Sequence, residues 1–135
     1  MEKRWKKQFM LLFSIVCSGL LFTQCNKSVD ARLKELAEET NKMCPRMLDQ
    51  WTRLDSCAVQ SGLAMRYYHS IIGELIVTDT TLFKSKLEPQ IISAMKTNPD
   101  VKFYKDNDIT MEYQYNDTEG KYIFSMIITP DNYKK

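Results

Sequence analysis

The stretch Ile109–Ile128, ITMEYQYNDTEGKYIFSMII, decides the fold class. Ile109, Met111, Tyr113 and Tyr115 alternate with Thr110, Glu112, Gln114 and Asn116. Successive side chains of a strand point to opposite faces, so the first set reads as a buried face and the second as a wetted one. Asn116-Asp117-Thr118-Glu119-Gly120 carries turn residues. Tyr122, Phe124, Met126 and Ile128 then resume the alternation. The stretch is a hairpin, half-buried in an antiparallel sheet with a wet outer face.

Upstream of it, Asp79 or Thr80 can cap a helix whose Phe83, Leu87, Ile91, Ala94 and Met95 fall on one face. Pro89 lacks an N–H and its ring crowds the preceding turn, so a kink or a split is expected there. Thr97-Asn98-Pro99 stops the helix. Further upstream, residues 63–72 alternate again. Leu63, Met65, Tyr67, His69 and Ile71 point one way, and Ala64, Arg66, Tyr68, Ser70 and Ile72 the other. Gln60-Ser61-Gly62 turns this strand back onto one over residues 50–59, which makes a first hairpin. Before that, Val29, Leu33, Leu36, Thr40, Met43 and Met47 recur at helical spacing. Ser28 is a ready cap, and Asn41 and Pro45 mark the end. The order is helix, hairpin, helix, hairpin. The expected fold is α+β, a four-stranded antiparallel sheet with two helices packed on one face, over a single domain spanning residues 30–135.

The chain has 135 residues, room for one modest domain. Lys3, Arg4, Lys6 and Lys7 are concentrated before the first apolar run. Without residues 1–24 the balance is 15 basic against 16 acidic side chains, with no Lys/Arg stripe. A near-neutral domain of this kind lacks the footprint that phosphate neutralisation requires, so nucleic acid is not an expected partner.

The basic start is followed by Phe9–Phe22, FMLLFSIVCSGLLF, 14 apolar-rich residues. As a helix this is ~21 Å long, short of the ~30 Å bilayer core. It fits the core of a signal peptide. Leu21-Phe22-Thr23-Gln24-Cys25 then resembles the box of a bacterial lipoprotein signal. That resemblance implies a signal peptide over residues 1–24, cleavage before Cys25, acylation of Cys25, and a tether over residues 25–29. It departs from the box at Gln24, where a small residue is usual, and at Phe22. Two or three acyl chains hold a protein far more firmly than one. The implied partner is therefore a membrane, with the domain in the periplasm or at the cell surface and the outer membrane preferred to the inner. An ordinary secretory signal or an uncleaved anchor is the rival reading.

Two cysteines remain, Cys44 and Cys57. An exported domain permits a bridge between them, and closing a loop of that size would contribute ~3 kcal/mol by chain entropy. Two free thiols are the other reading. His69 is the only histidine, and no cluster of Cys, His and carboxylates accompanies it, so no metal and no cofactor is implied. Glycines are isolated, so no phosphate-cradling loop is present. Arg53 and Asp55 share one face of a strand, as an ion pair or a binding pair. With Tyr67, Tyr68, Tyr113 and Tyr115 they form the candidate binding surface, since tyrosines join apolar bodies to polar tips.

A wider resemblance rests on several segments. These are Asn41-Lys42-Met43-Cys44-Pro45 with Asp49 and Thr52-Arg53-Leu54-Asp55-Ser56. They continue with Leu87-Glu88-Pro89, Lys96-Thr97-Asn98-Pro99-Asp100, Asp106-Asn107 and Ile128-Thr129-Pro130. Over residues 38–133 the chain resembles small envelope and lipoprotein-like proteins of Bacteroidetes-type bacteria. The resemblance implies a single exported domain and carries no catalytic residue with it.

The expected function is that of a lipid-anchored, non-catalytic envelope protein that binds a protein or an envelope component. The alternatives are a small periplasmic enzyme using Arg53 and Asp55 with a tyrosine or His69, and an immunity or inhibitor protein. We predict that cells fed labelled palmitate incorporate label into the wild-type protein and not into Cys25→Ala. Label of equal intensity in the variant would refute the anchor.

Overall fold

The computed structural model describes residues 27–73 and 77–134. The signal segment, Cys25 and the first part of the tether lie outside the described residues. Helix α1 spans Val29–Lys42. Ser28 caps it, its side chain accepting a hydrogen bond from the Ala31 N–H at 3.2 Å. Its buried residues are Leu33 and Ala37, with Val29 and Leu36 packed beside them. The apolar stripe read from the sequence ends there. Met43 and Met47 lie beyond the helix and are exposed. After the cis Cys44–Pro45 peptide comes strand β1, Arg46–Met47. Strands β2, Thr52–Gln60, and β3, Ala64–Ile71, form the first hairpin.

Helix α2 then runs over Thr80–Thr97, capped by the Asp79 side chain. Of the kink or split expected at Pro89, the split does not occur: the helix continues through it as one element. One missing main-chain bond is outweighed because the helix packs on both sides of it: Phe83 and Leu87 before, Ile91, Ile92 and Met95 after. A 3₁₀ turn, Pro99–Val101, and a short helix α3, Lys102–Asp106, lead to strands β4, Thr110–Asn116, and β5, Tyr122–Ile128. A last turn of helix, α4, covers Pro130–Tyr133.

The two hairpins form where expected, except that a register slip at the start of β5 turns Tyr122 out of the row of Phe124, Met126 and Ile128 and leaves it 57% exposed; their assembly corrects the expected sheet. It has five strands in the order β1-β2-β3-β4-β5. The β3 and β4 strands are parallel, from Ala64 opposite Thr110 to Ser70 opposite Asn116, while the other neighbours are antiparallel. The physical reason is length. The 18 residues of α2 rise ~27 Å, close to the ~26 Å that the eight residues of β3 extend. The helix therefore returns the chain to the end of the sheet where β3 began. The Thr110 N–H there bonds the Leu63 carbonyl at 3.0 Å. β1 escaped the sequence reading because two residues cannot show an alternation.

Both long helices pack on the same face. Leu33 and Ala37 of α1 and Met95 of α2 meet Cys57, Met65, Met111 and Ile128 of the sheet. Tyr133 closes this cluster, and its hydroxyl donates to the Ile109 carbonyl at 2.8 Å. Cys44 and Cys57 are both free thiols in this structure. The Cys57 thiol contacts the Ala37 carbonyl at 3.6 Å, and burial raises its pKa.

The strand register also lines up rings on this face. Tyr67 faces Tyr113 across the parallel pair with ring centroids 5.7 Å apart. His69 faces Tyr115 at 4.8 Å, and Tyr115 faces Phe124 at 4.6 Å, both stacked. His69 is 3% exposed, and its Nδ1 has no hydrogen-bond partner. Burial drives its pKa below the usual histidine value, against smaller opposing effects from the Gln114 main chain and the Asp55 charge.

Two outcomes follow. We predict that Leu33→Ala, at a fully buried position, costs about 2–5 kcal/mol in urea unfolding, while Met43→Ala costs under about 0.5 kcal/mol. Equal costs would contradict the end of the buried stripe before Met43. The second concerns pH. The unfolded chain protonates His69 near its ordinary value of 6.5, and the folded chain protonates it only at lower pH. This contribution to stability is therefore complete above 6.5 and is lost as pH falls below it, with a slope approaching about 1.4 kcal/mol per pH unit. With one histidine in the chain, His69→Phe should flatten the stability profile between roughly pH 6.5 and 5; an unchanged profile would exclude His69 as its source.

Candidate functional site

The six residues expected to form one binding surface divide between the two faces of the sheet. Arg53, Asp55 and Tyr68 belong to the face that the helices leave open. Tyr67, Tyr113 and Tyr115 belong to the helix-covered face. On the open face, Arg53 Nε donates to Asp55 Oδ1 at 2.5 Å, and Ser70 Oγ donates to Asp55 Oδ2 at 2.5 Å. Asp55 reaches both because the register slips between Leu54 and Ser56, which re-aims the strand. Arg66 Nε donates to Glu112 Oε2 at 2.6 Å across the parallel pair. The charges of this face are paired with one another, as on a solvated sheet.

The helix-covered face holds an open groove. It has a volume of about 350 Å³ and lies between the 48–52 loop, α2 and the sheet. Its floor is the aromatic row: His69, Tyr113 and Tyr115 line it. Desolvation pushes the Tyr115 hydroxyl up to about 12 and the Tyr113 hydroxyl higher still. Phe83, Leu87 and Ile91, one stripe of α2, form one wall. Phe83 meets Phe124 edge-on at 5.4 Å, which seats the helix over β5. The other wall is the loop, with Leu48 and Trp51. Leu48 is 48% exposed and Trp51 39%, so the mouth of the groove has apolar lips.

The loop is held by its own hydrogen bonds. Asp49 Oδ1 accepts from the Trp51 and Thr52 N–H groups at 2.7 and 2.8 Å, and these donors keep its carboxyl below the usual carboxylate range. The Ile72 N–H bonds the Trp51 carbonyl at 2.8 Å. The indole lies against Gly73, where an added Cβ would stand 3.2 Å from the ring. Gly73 also has φ +78°, a conformation that favours glycine. Behind the loop, the Asn41 side chain exchanges two hydrogen bonds with the Cys57 main chain, at 2.8 and 2.9 Å, and ties the end of α1 to β2.

The arrangement can bind an apolar group. Arg53 and Asp55 do not line the cavity, and His69 does. The sequence reading had the α2 stripe but missed Leu48 and Trp51 as its counterpart. Their signal was Met47-Leu48 and Trp51 as apolar residues in an otherwise polar connection, where loops are ordinarily polar. Among the described residues no group of three or more His, Cys, Asp or Glu could hold a metal ion. Among them, too, no helix is long and apolar enough to cross a membrane.

Three solved structures share this fold. A protein of Pseudomonas aeruginosa described as secreted superimposes with a TM-score of 0.66 at 10% identity, over 77% of this chain and 91% of its own. The pilotin EpsS of the Vibrio vulnificus type 2 secretion system gives 0.63 at 10% identity, over 78% and 91%. The type II secretion pilotin AspS of Vibrio cholerae gives 0.59 at 12% identity, over 77% and 91%. At these identities the likeness is one of fold. No curated protein matches the sequence. One family model does, over residues 28–124, described as a domain of unknown function, and on that match the chain belongs to the DUF8479 family.

Proposed function

We propose that this protein is a lipid-anchored, non-catalytic component of the bacterial cell envelope whose groove receives an apolar segment of another envelope protein. The observation that carries the reading is the groove itself. It leaves Leu48 and Trp51 exposed at its mouth. Exposed apolar surface is costly, and an apolar occupant relieves it. Anchoring through Cys25, preferably in the outer membrane, rests on the signal-like sequence of residues 1–25. The shared fold of two pilotins, components of secretion systems in their own organisms, supports an envelope role.

The enzyme reading draws no support from the geometry. Arg53 and Asp55 bond each other and Ser70 on the open face, while His69 lines the cavity on the opposite one.

Photo-crosslinking in intact cells tests the proposal. A photoreactive residue at Leu48 or Trp51 should yield one discrete envelope-protein adduct, reduced at least tenfold by Leu87→Asp in the groove wall. The same residue at Gln114, on the open face, should not yield it. Adducts of equal intensity from all three positions, or indifference to Leu87→Asp in a protein that keeps its circular dichroism, would refute the groove as the binding site.

A further inference from the structure

The sheet has two edges, and they are built differently. At one, β1 is two residues long, begins beside Pro45 and carries Arg46. A short strand, a proline and a charge are the usual guards against pairing with another chain. At the other edge β5 is seven residues long and reads Tyr-Ile-Phe-Ser-Met-Ile-Ile, with no charge and no proline; its one irregularity is a register slip at the Tyr122 end, and Phe124–Ile128 pair regularly. Two of its side chains are large, apolar and well exposed, Tyr122 at 57% and Ile127 at 58%. Its main chain pairs with β4 on one side. Among the described residues no other group bonds to the β5 main chain. The core side of the strand is covered, since Phe124, Met126 and Ile128 are buried. What is left open is the row of outward N–H and C=O groups, with Tyr122, Ser125 and Ile127 beside them.

We propose that β5 is a homodimerisation edge, pairing antiparallel with β5 of a second copy about a two-fold axis. The inference is independent of the groove reading. Antiparallel pairing of a strand with itself is isologous, so whatever side chain lies at one position meets its counterpart across the axis. A charged strand would oppose like charges in that arrangement; this one has none to oppose. Full overlap of Tyr122–Ile128 places Ser125 opposite Ser125 of the other copy. Tyr122 shares the open face with Ser125, its hydroxyl 3.2 Å from the serine Oγ. Ile127 of each copy then stands opposite Ile123 of the other, next to Tyr122, which a register slip at Ile123 turns onto the open face, so the two most exposed apolar residues of the edge are neighbours across the axis.

The register makes the test specific. Directly opposed residues of an antiparallel pair have Cβ atoms about 4.5–5.5 Å apart, close enough for a disulfide after slight adjustment. In the full-length chain produced in cells, Ser125→Cys should give a covalent homodimer on a non-reducing gel, well above the wild-type background. Leu82→Cys, exposed on α2, should not. Adding Ile127→Lys should lower the dimer yield at least tenfold, and adding Tyr122→Glu to that should restore it by placing opposite charges across the axis. Restoration also shows that the lysine variant folds. Three results would overturn the proposal: no homodimer above background, a yield that ignores Ile127→Lys, or a Ser125→Cys adduct with a different protein.

Discussion

The parallel contact between β3 and β4 is the constraint from which the other features follow. Parallel neighbours cannot be joined by a tight turn; the chain has to travel back along the sheet before it can start the next strand. Here that return is α2, whose length matches β3. Because α2 and α1 both pack on one face, the core is one-sided and the other face stays open to solvent. The cavity lies where the two halves of the cover do not meet, between the α2 stripe and the 48–52 loop.

The same contact sets the chemistry of the cavity floor. In a parallel pair, residues in register stand side by side, and the register here joins Tyr67 to Tyr113 and His69 to Tyr115. The antiparallel β4–β5 pair extends the row to Phe124. Stacked rings resist compression and cannot be thinned by a rotamer change, so the floor is stiff. Into that stiff row the fold places one imidazole. Its desolvation disfavours the charged form, and the groove is lined by a neutral histidine at pH 7.

Much of this was legible in the sequence because it is local. The alternation over Ile109–Ile128 gave both strands and the buried set Met111, Tyr115, Phe124, Met126 and Ile128. The stripe of α2 gave Phe83, Leu87, Ile91 and Met95; Ala94 is exposed, and Ile92 packs against the core in its stead. The pairing of the hairpins was not legible. Parallel and antiparallel neighbours bury the same alternating residues, and only the length of the return path separates them. Tyr67 and Tyr68 do not belong to one surface, and their alternation along the strand already puts them on opposite faces. The groove joins Trp51 to Leu87, residues far apart in the chain, and no periodicity reports such a meeting.

The abutment of Trp51 on Gly73 has a consequence for what the groove admits. The indole rests on main chain at the exit of β3, with no side chain between them to swing aside. Its own carbonyl is bonded to the next residue of that exit. On that side the lip can yield only if the backbone moves, so the apolar segment proposed for the groove would meet a fixed edge there.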